Sequence, residues 1–161
     1  MSEKNDHAAE SAERVLVITR IFDAPRSLVF KAWTQPERLA HWCCPRGFTT
    51  PFHESDIRTG GAWRVCMRSP EGKDYWVQGR YREIVESERL VFTHAWEDAE
   101  GKPGHETLVT VNFTEHDGKT TQTFRQAIFK SVENRDSHEK GWSESFDNLA
   151  DYLEKMGTHG E

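Results

Sequence analysis

The chain has 161 residues, of which 35% are apolar and 30% are charged, and its formal charge at pH 7 is −6. A chain of this length forms one domain with a sizeable core, and six Trp, three Tyr and nine Phe supply much of its apolar area. The acidic balance without a basic run argues against nucleic acid or a membrane surface as a partner, and no apolar run approaches the roughly 18 residues of a membrane-spanning helix.

The first 14 residues are polar and charged and lack the apolar stretch of a signal peptide, so we expect a flexible tail over 1–14. A single domain is predicted over 15–157, followed by a short tail over 158–161. The cysteines, Cys43, Cys44 and Cys66, are odd in number, and two of them are adjacent. They do not form a disulfide framework, and they favour a reducing, cytoplasmic location.

The first structured segment is a strand over 15–22, which is rich in β-branched residues and apolar at both parities. Two short helices are predicted after it. Pro25 and Pro36 occupy their first helical positions, where the missing N–H of proline costs nothing. Trp33 lies on the apolar stripe of the first helix, and Trp42 anchors the second. A V-shaped pair of helices is therefore expected directly after the first strand.

A meander of strands is predicted for the middle of the chain. Gly60-Gly61 and Asp117-Gly118 are typical of tight turns between paired strands. The turns separate six runs with strand character, which cover 52–57, 62–68, 75–85, 90–96, 107–113 and 120–129.

The last segment, 136–156, predicts a helix about 30 Å long. Apolar residues recur in it at steps of four, three and four, which places them on one stripe. This stripe consists of Trp142, Phe146, Leu149 and Leu153. Asp136 and Glu139 have the spacing of a capping box, and Gly157 is a usual residue at a helix end. The simplest assembly lays this helix across a curved antiparallel sheet, which is an α+β fold.

The space between helix and sheet is the predicted binding site. Period-two counting places aromatic residues of several strands on the face that meets the helix. An aromatic-lined space with a few polar groups suits a small hydrophobic or aromatic ligand. The alternative is that the rings pack solid against one another. The candidate ligand-binding side chains are Trp42, Phe48, Trp63, Met67, Tyr75, Tyr81, Phe92, His94, Trp96, Phe113, Trp142 and Phe146.

Other chemistry has weak support in the sequence. Adjacent cysteines converge poorly on one ion, so neither a metal nor a cofactor is predicted. A cysteine near Arg46 could be reactive if its pKa were lowered. No hydrolase, zinc-protease, phosphate-loop or dinucleotide motif occurs. His94 is a candidate acid or base, with a structural histidine as the alternative. Glu83 and Arg125 are a candidate ion pair across the sheet.

Several blocks of the sequence resemble one known family. They read VITRIFDAP at 17–25, VFKAWT at 29–34, GGAWR at 60–64, GRYREI at 79–84 and RLVFT at 89–93, and Gly141-Trp142 with Leu149 and Leu153 continues them. In this order they resemble the activator-of-heat-shock-protein-90-ATPase-like branch of the SRPBCC (START-like) superfamily. The resemblance covers about 15–153, and none of its blocks is specific for an activity.

The resemblance implies a helix-grip fold, in which a bent seven-stranded antiparallel sheet wraps around a long C-terminal helix with a cavity between them. One departure from the family concerns that cavity. Where members commonly carry Trp-Gly-Pro after the first Trp of the second helix, this chain has Cys43-Cys44-Pro45 after Trp42. The smaller Cys43 is expected to change the shape of the cavity mouth.

Three classes of function follow from these observations. The first is non-catalytic binding of a small hydrophobic or aromatic molecule by a stress-related or regulatory module. The second is a chaperone-associated protein, as the family's name implies, although only the segment 1–14 stands where the eukaryotic activators have a further domain. The third is a cyclase- or aromatase-like enzyme that positions its substrate in the cavity. A homodimer is possible, but the sequence carries no signal for one.

Overall fold

The computed structural model describes residues 14–158. The predicted tails, 1–14 and 158–161, therefore lie outside the described residues except for Arg14 and Thr158. Within the described part of the chain, no helix is both long and apolar enough to cross a bilayer.

Strands and helices follow one another in the predicted order. The described residues form β1 (Leu16–Phe22), α1 (Arg26–Thr34), α2 (Pro36–Leu39), β2 (Thr49–Ser55), β3 (Ala62–Arg68), β4 (Asp74–Val85), β5 (Arg89–Trp96), β6 (Thr107–His116), β7 (Lys119–Ala127) and α3 (Val132–Thr158).

The seven strands make one antiparallel sheet in the order β1-β7-β6-β5-β4-β3-β2. Shifts of register interrupt the ladders between Thr49 and Phe52 and between Tyr81 and Glu83. Such bulges bend a strand and increase its twist. The bent sheet and the long α3 confirm the predicted helix-grip, α+β fold.

The core lies between the sheet and α3. Phe146, Leu149 and Leu153, from the predicted stripe of α3, are fully or almost fully buried, whereas Trp142 is only partly buried. An ion pair also joins the helix to β1, since the Arg20 guanidinium lies 2.9 Å from a carboxylate oxygen of Asp147 on α3. The apolar stripe therefore faces the sheet, as its spacing predicts.

The start of α3 differs from the prediction. The helix begins at Val132, four residues before Asp136, and the Ser131 hydroxyl accepts a hydrogen bond from the Asn134 backbone N–H at 3.0 Å. Ser131 thus satisfies one of the free N–H groups of the first turn, which is the role of an N-cap. The capping box predicted at Asp136 was wrong, because those residues already lie inside the helix.

β2 also begins earlier than predicted, at Thr49 instead of Phe52, and it ends at Ser55. It is the last strand of the sheet order, so one of its two edges is unpaired. Pro51 is compatible with such an edge strand, because a strand with one unpaired edge can lack a backbone N–H without losing a hydrogen bond to a neighbouring strand.

The proposed ion pair between Glu83 and Arg125 was wrong. Glu83 lies on β4 and Arg125 on β7, and two strands separate these in the sheet. Glu83 instead pairs with Arg89 of β5 at 2.9 Å. Both members are about half exposed, so this pair contributes little to stability.

Candidate functional site

Trp142 of α3 is fixed above the concave face of the sheet by a chain of hydrogen bonds. Its indole Nε1–H donates to Gln126 Oε1 at 2.9 Å, and Gln126 Nε2 donates to Thr107 Oγ1 at 2.8 Å. The Thr107 hydroxyl in turn donates to the His94 carbonyl at 3.1 Å. Gln126 and Thr107 are buried, so these bonds are shielded from competing water. The ring of Trp142 is thereby held in one orientation.

The loop after α2 is also tied to α3. Ser145 Oγ donates to the Cys43 carbonyl at 3.3 Å, and Asn148 Nδ2 donates to the Cys44 carbonyl at 3.0 Å. Gly141 also faces this loop, since a Cβ there would lie 3.7 Å from Pro45 Cγ, which is an ordinary van der Waals distance.

Between this loop, α3 and the sheet lies a cavity of about 340 Å³, here called the outer cavity. Its size is at the lower end of the roughly 300–1,000 Å³ range of small-molecule sites. Six of the candidate ligand-binding side chains line it, namely Phe48, Met67, Tyr75, His94, Trp96 and Trp142. The remaining lining residues are Cys43, Pro45, Asn134, Ser137, His138, Gly141 and Ser145.

A smaller cavity of about 60 Å³, the inner cavity, lies deeper against the sheet. Seven candidate side chains line it, namely Trp42, Trp63, Met67, Tyr81, Phe92, His94 and Trp142. The remaining lining residues are Trp33, Leu39, Cys43, His53, Val65, Val77 and Leu90. Cys43, Met67, His94 and Trp142 line both cavities, so the two spaces adjoin.

The last two candidates, Phe113 and Phe146, line neither cavity among the described residues. Phe113 packs edge-on to Phe30 with ring centroids 5.9 Å apart, and Phe146 packs edge-on to Phe124 at 5.3 Å. These two rings therefore pack within the core, which was the alternative to a ligand-binding role in the sequence analysis.

The sequence matches one family model over residues 23–154, which is more than half of the chain. That family is described as activator of Hsp90 ATPase homolog 1-like protein. The chain belongs to this family. Membership implies a ligand-binding or Hsp90-activator-like protein. No curated protein matches the sequence significantly.

Solved structures of bacterial proteins share the fold of this chain. An AHSA1 protein from Silicibacter pomeroyi is 26% identical with a TM-score of 0.82, and the match covers 88% of this chain and 99% of that one. A protein from Chromobacterium violaceum is 28% identical with a TM-score of 0.80, covering 88% and 97%. A protein from Nitrosomonas europaea is 23% identical with a TM-score of 0.77, and the match covers 91% of this chain and 98% of that one. At this level of identity, the likeness shows the fold alone.

His94 is the central polar group of the site. Its ring centroid lies 5.5 Å from that of Trp96, 5.9 Å from that of Trp63 and 6.1 Å from that of Trp142. Burial, together with the nearby His138, lowers the pKa of His94 to about 3. The imidazole is therefore neutral at pH 7. It can donate and accept one hydrogen bond, but it is a weak base.

The second histidine, His138, is held by two partners. Its Nε2 accepts from Trp96 Nε1–H at 2.7 Å, so the proton of the neutral ring sits on Nδ1, which donates to the Asn134 carbonyl at 2.8 Å. Burial lowers the pKa of His138. Tyr81 is also a poor proton donor, because burial raises the pKa of its phenol. At pH 7 the side chains of His94, His138 and Tyr81 are therefore neutral, and they suit hydrogen bonding better than proton transfer.

Of the two adjacent thiols, Cys43 lines both cavities and Cys44 lines neither. They do not form a disulfide, since Cys43 Sγ and Cys44 Sγ are 3.9 Å apart. The hydrogen bond with Cys44, together with burial, raises the pKa of Cys43. Hydrogen bonds from Cys43 and Thr50 outweigh burial and lower the pKa of Cys44. The thiol that lines the cavities is thus the one with the raised pKa. Within residues 14–158, no three His, Cys, Asp or Glu side chains converge as a metal site would require.

Arg46 does not activate either thiol by direct contact. Its guanidinium lies 3.9 Å from an Asp151 carboxylate oxygen, and both side chains are mostly exposed. The nearest cation in the sequence is therefore directed at α3, and the hypothesis of an arginine-activated cysteine loses its basis.

Sequence reasoning missed several residues of the outer cavity. Asn134, Ser137 and His138 lie in the first turns of α3, and the predicted helix began too late to include Asn134. A signal existed for His138, which precedes Trp142 by four residues and so shares its helix face. Gln126 had no such signal, because a polar residue on a strand is expected to face water.

Proposed function

We propose that this protein is a non-catalytic binding module that holds a small hydrophobic or aromatic molecule in the outer cavity. It would act as a stress-related or regulatory component of the cytoplasm. The observation that carries the proposal is a cavity of about 340 Å³ beneath Trp142 whose lining contains aromatic rings and, within the described residues, no Lys, Arg, Asp or Glu. Sites for apolar ligands have this composition.

The bonded state of the rings supports binding of apolar surface. The Trp142 and Trp96 N–H groups are both used within the protein, by Gln126 and His138. Each ring therefore presents an apolar face to the cavity. Burying such a face against a ligand stabilises the complex by about 25 cal/mol per Å² of apolar surface, before the cost of immobilising the ligand.

Between the two roles that the family implies, the cavity favours ligand binding. An interaction with a chaperone needs a complementary surface, and it does not require an enclosed space of this size. Charge also bears on the partner. The chain carries a formal charge of −6, so we propose that it acts without nucleic acid or an anionic membrane surface.

The test uses three uncharged probes, namely naphthalene, 2-naphthol and 1-decanol. A probe at about ten times its Kd should raise the midpoint of thermal unfolding by roughly 3–5 °C in a protein of this size. Isothermal titration calorimetry should show one site with a negative heat-capacity change, since apolar surface is buried.

The matched variants are Cys43→Trp and Cys43→Ala. A Trp at position 43 extends into both cavities, so binding of naphthalene should fall at least tenfold, whereas Cys43→Ala should bind it as tightly as the wild type. If no probe binds the wild type, or if Cys43→Trp binds naphthalene as the wild type does, the outer cavity is not a ligand site.

A further inference from the structure

The inner cavity differs from the outer one because its polar groups are unused. His53 of β2 lines it, and both ring nitrogens of His53 are buried without a hydrogen-bond partner among the described residues. A buried polar group without a partner costs about 1–3 kcal/mol. Polar atoms of this kind are usually satisfied in native proteins, so a polar partner is expected in this space.

The outer cavity shows the opposite pattern. Its two indole N–H groups and both nitrogens of His138 are bonded within the protein. A ligand gains apolar contact there. The ring atoms that lack a hydrogen-bond partner among the described residues lie at the inner end, on His53 and on the Trp63 indole N–H.

Charge sets a second condition on the ligand. Within residues 14–158, neither cavity is lined by Lys, Arg, Asp or Glu. Burial lowers the pKa of His53, as it does that of His94, so both imidazoles are neutral at pH 7. A carboxylate or an ammonium group would lose its hydration in this space without gaining an opposite charge.

The boundary between the cavities contains the two side chains best able to give way. Of the four residues that line both cavities, Cys43 is small, and Met67 has three rotatable bonds and a polarisable thioether. A ligand of one or two rings in the outer cavity would need to extend only a single polar group past them. The inner cavity, at about 60 Å³, is large enough for such a group and too small for a ring system.

We infer that the ligand is an uncharged molecule with an aromatic or aliphatic body and one terminal hydroxyl or carbonyl group. The body occupies the outer cavity, and the terminal group enters the inner cavity to hydrogen-bond with His53 and with the Trp63 indole N–H. The inference rests on the proposed function and narrows its ligand class.

The test compares three probes that share one ring system, namely naphthalene, 2-naphthol and 2-naphthoate, by calorimetry at pH 7. The wild type should bind 2-naphthol about tenfold more tightly than naphthalene, because one net hydrogen bond is worth about that factor. It should bind 2-naphthoate more weakly than either.

Two variants locate the contact. His53→Phe should abolish the preference for 2-naphthol over naphthalene and leave the Kd for naphthalene within about twofold. Trp63→Phe, which removes the indole N–H of the inner cavity, should also reduce this preference, and His53→Phe keeps the test valid if that variant fails to fold. His41→Phe is the control, since His41 is exposed and lines neither cavity, and it should keep the full preference.

The outcomes separate this inference from the proposed function. If naphthalene and 2-naphthol bind the wild type equally, the inner cavity does not read a polar group, and the inference fails while the outer cavity remains a ligand site. A stronger affinity for 2-naphthoate would overturn the requirement for an uncharged ligand. Absence of binding by all three probes would instead contradict the proposed function.

Discussion

The Trp142 indole on α3 and the Gln126 amide on β7 are joined by a hydrogen bond of 2.9 Å. The bond fixes the ring that covers the outer cavity to β7, the strand next to the edge strand β1. Four residues earlier on the same strand, Gln122 Oε1 accepts from the Trp33 indole of α1 at 2.8 Å. Both glutamines are fully buried. One strand thus positions a tryptophan from each of two helices.

Removing the Gln126 amide should loosen the covering ring. Gln126→Leu leaves the Trp142 N–H and the Thr107 hydroxyl without their partner, so we expect the free energy of unfolding to fall by about 1–3 kcal/mol in urea denaturation. The affinity for naphthalene should fall several-fold. Gln122→Leu is the matched control, with a similar loss of stability and an unchanged affinity. Equal affinities in both variants would show that the bond has no part in shaping the site.

Acid should destabilise the protein through His94. Its pKa is about 3 in the folded state and roughly 6.5 in the unfolded chain, so only the unfolded chain takes up this proton between those values. The stability from the neutral ring is complete above about pH 6.5 and is lost progressively as the pH falls towards 3. From pH 7 to pH 5 the loss is about 2 kcal/mol.

His94→Phe should remove this part of the pH dependence. The measurement is urea unfolding of the wild type and the variant at pH 7 and pH 5, and the difference in stability between the two proteins should change by about 2 kcal/mol. A difference that stays constant with pH would mean that the pKa of His94 is the same in the folded and the unfolded protein.

Gly79 should tolerate no side chain. A Cβ at this position would overlap the Thr93 carbonyl oxygen and crowd the Trp63 indole nitrogen. Gly79→Ala is therefore expected to reduce the free energy of unfolding by more than about 2 kcal/mol. At Gly141 the nearest atom is 3.7 Å away, so Gly141→Ala should instead add up to about 1 kcal/mol from helix propensity. Thermal unfolding of the two variants is the measurement. If the melting temperature of Gly79→Ala does not fall, the sheet relaxes around position 79 and the prediction is wrong.

Alkylation should be slow at Cys43 and faster once its neighbour is removed. The hydrogen bond with Cys44 and burial raise the pKa of Cys43, which leaves little reactive thiolate at pH 7. In Cys44→Ser the thiol neighbour is gone, so iodoacetamide should modify Cys43 about threefold faster or more, as followed by mass spectrometry. Rapid modification of Cys43 in the wild type would restore the hypothesis of a reactive thiol at the cavity mouth.

Much of the fold could be predicted because it depends on local periodicity. The stripe that contains Trp142 and Phe146 follows from the helical repeat, and the inward face of Trp63 and Met67 follows from the strand repeat. The family resemblance supplied the bend of the sheet and the position of the cavity. Only the two repeats are encoded by residues close to one another in sequence.

The details of the site depend on contacts between distant residues. Periodicity places Phe113 and His94 on the same face of the sheet, but only the three-dimensional packing decides that the first is in the core and the second at a cavity. The pair of Glu83 and Arg125 failed because strand order cannot be read from charge alone. Gln126 was missed because its burial depends on a partner in another element.

Five of the six tryptophans, Trp33, Trp42, Trp63, Trp96 and Trp142, line the outer or the inner cavity. The sixth, Trp76, lies on β4 under the Arg64 guanidinium, 4.0 Å from its ring centroid. The indole proton resonances of the unmodified protein therefore form a built-in reporter set with its own internal reference. A molecule entering the outer cavity would perturb the signals of Trp96 and Trp142 first, and Trp76 would stay unmoved, so site occupancy could be mapped without attaching any label.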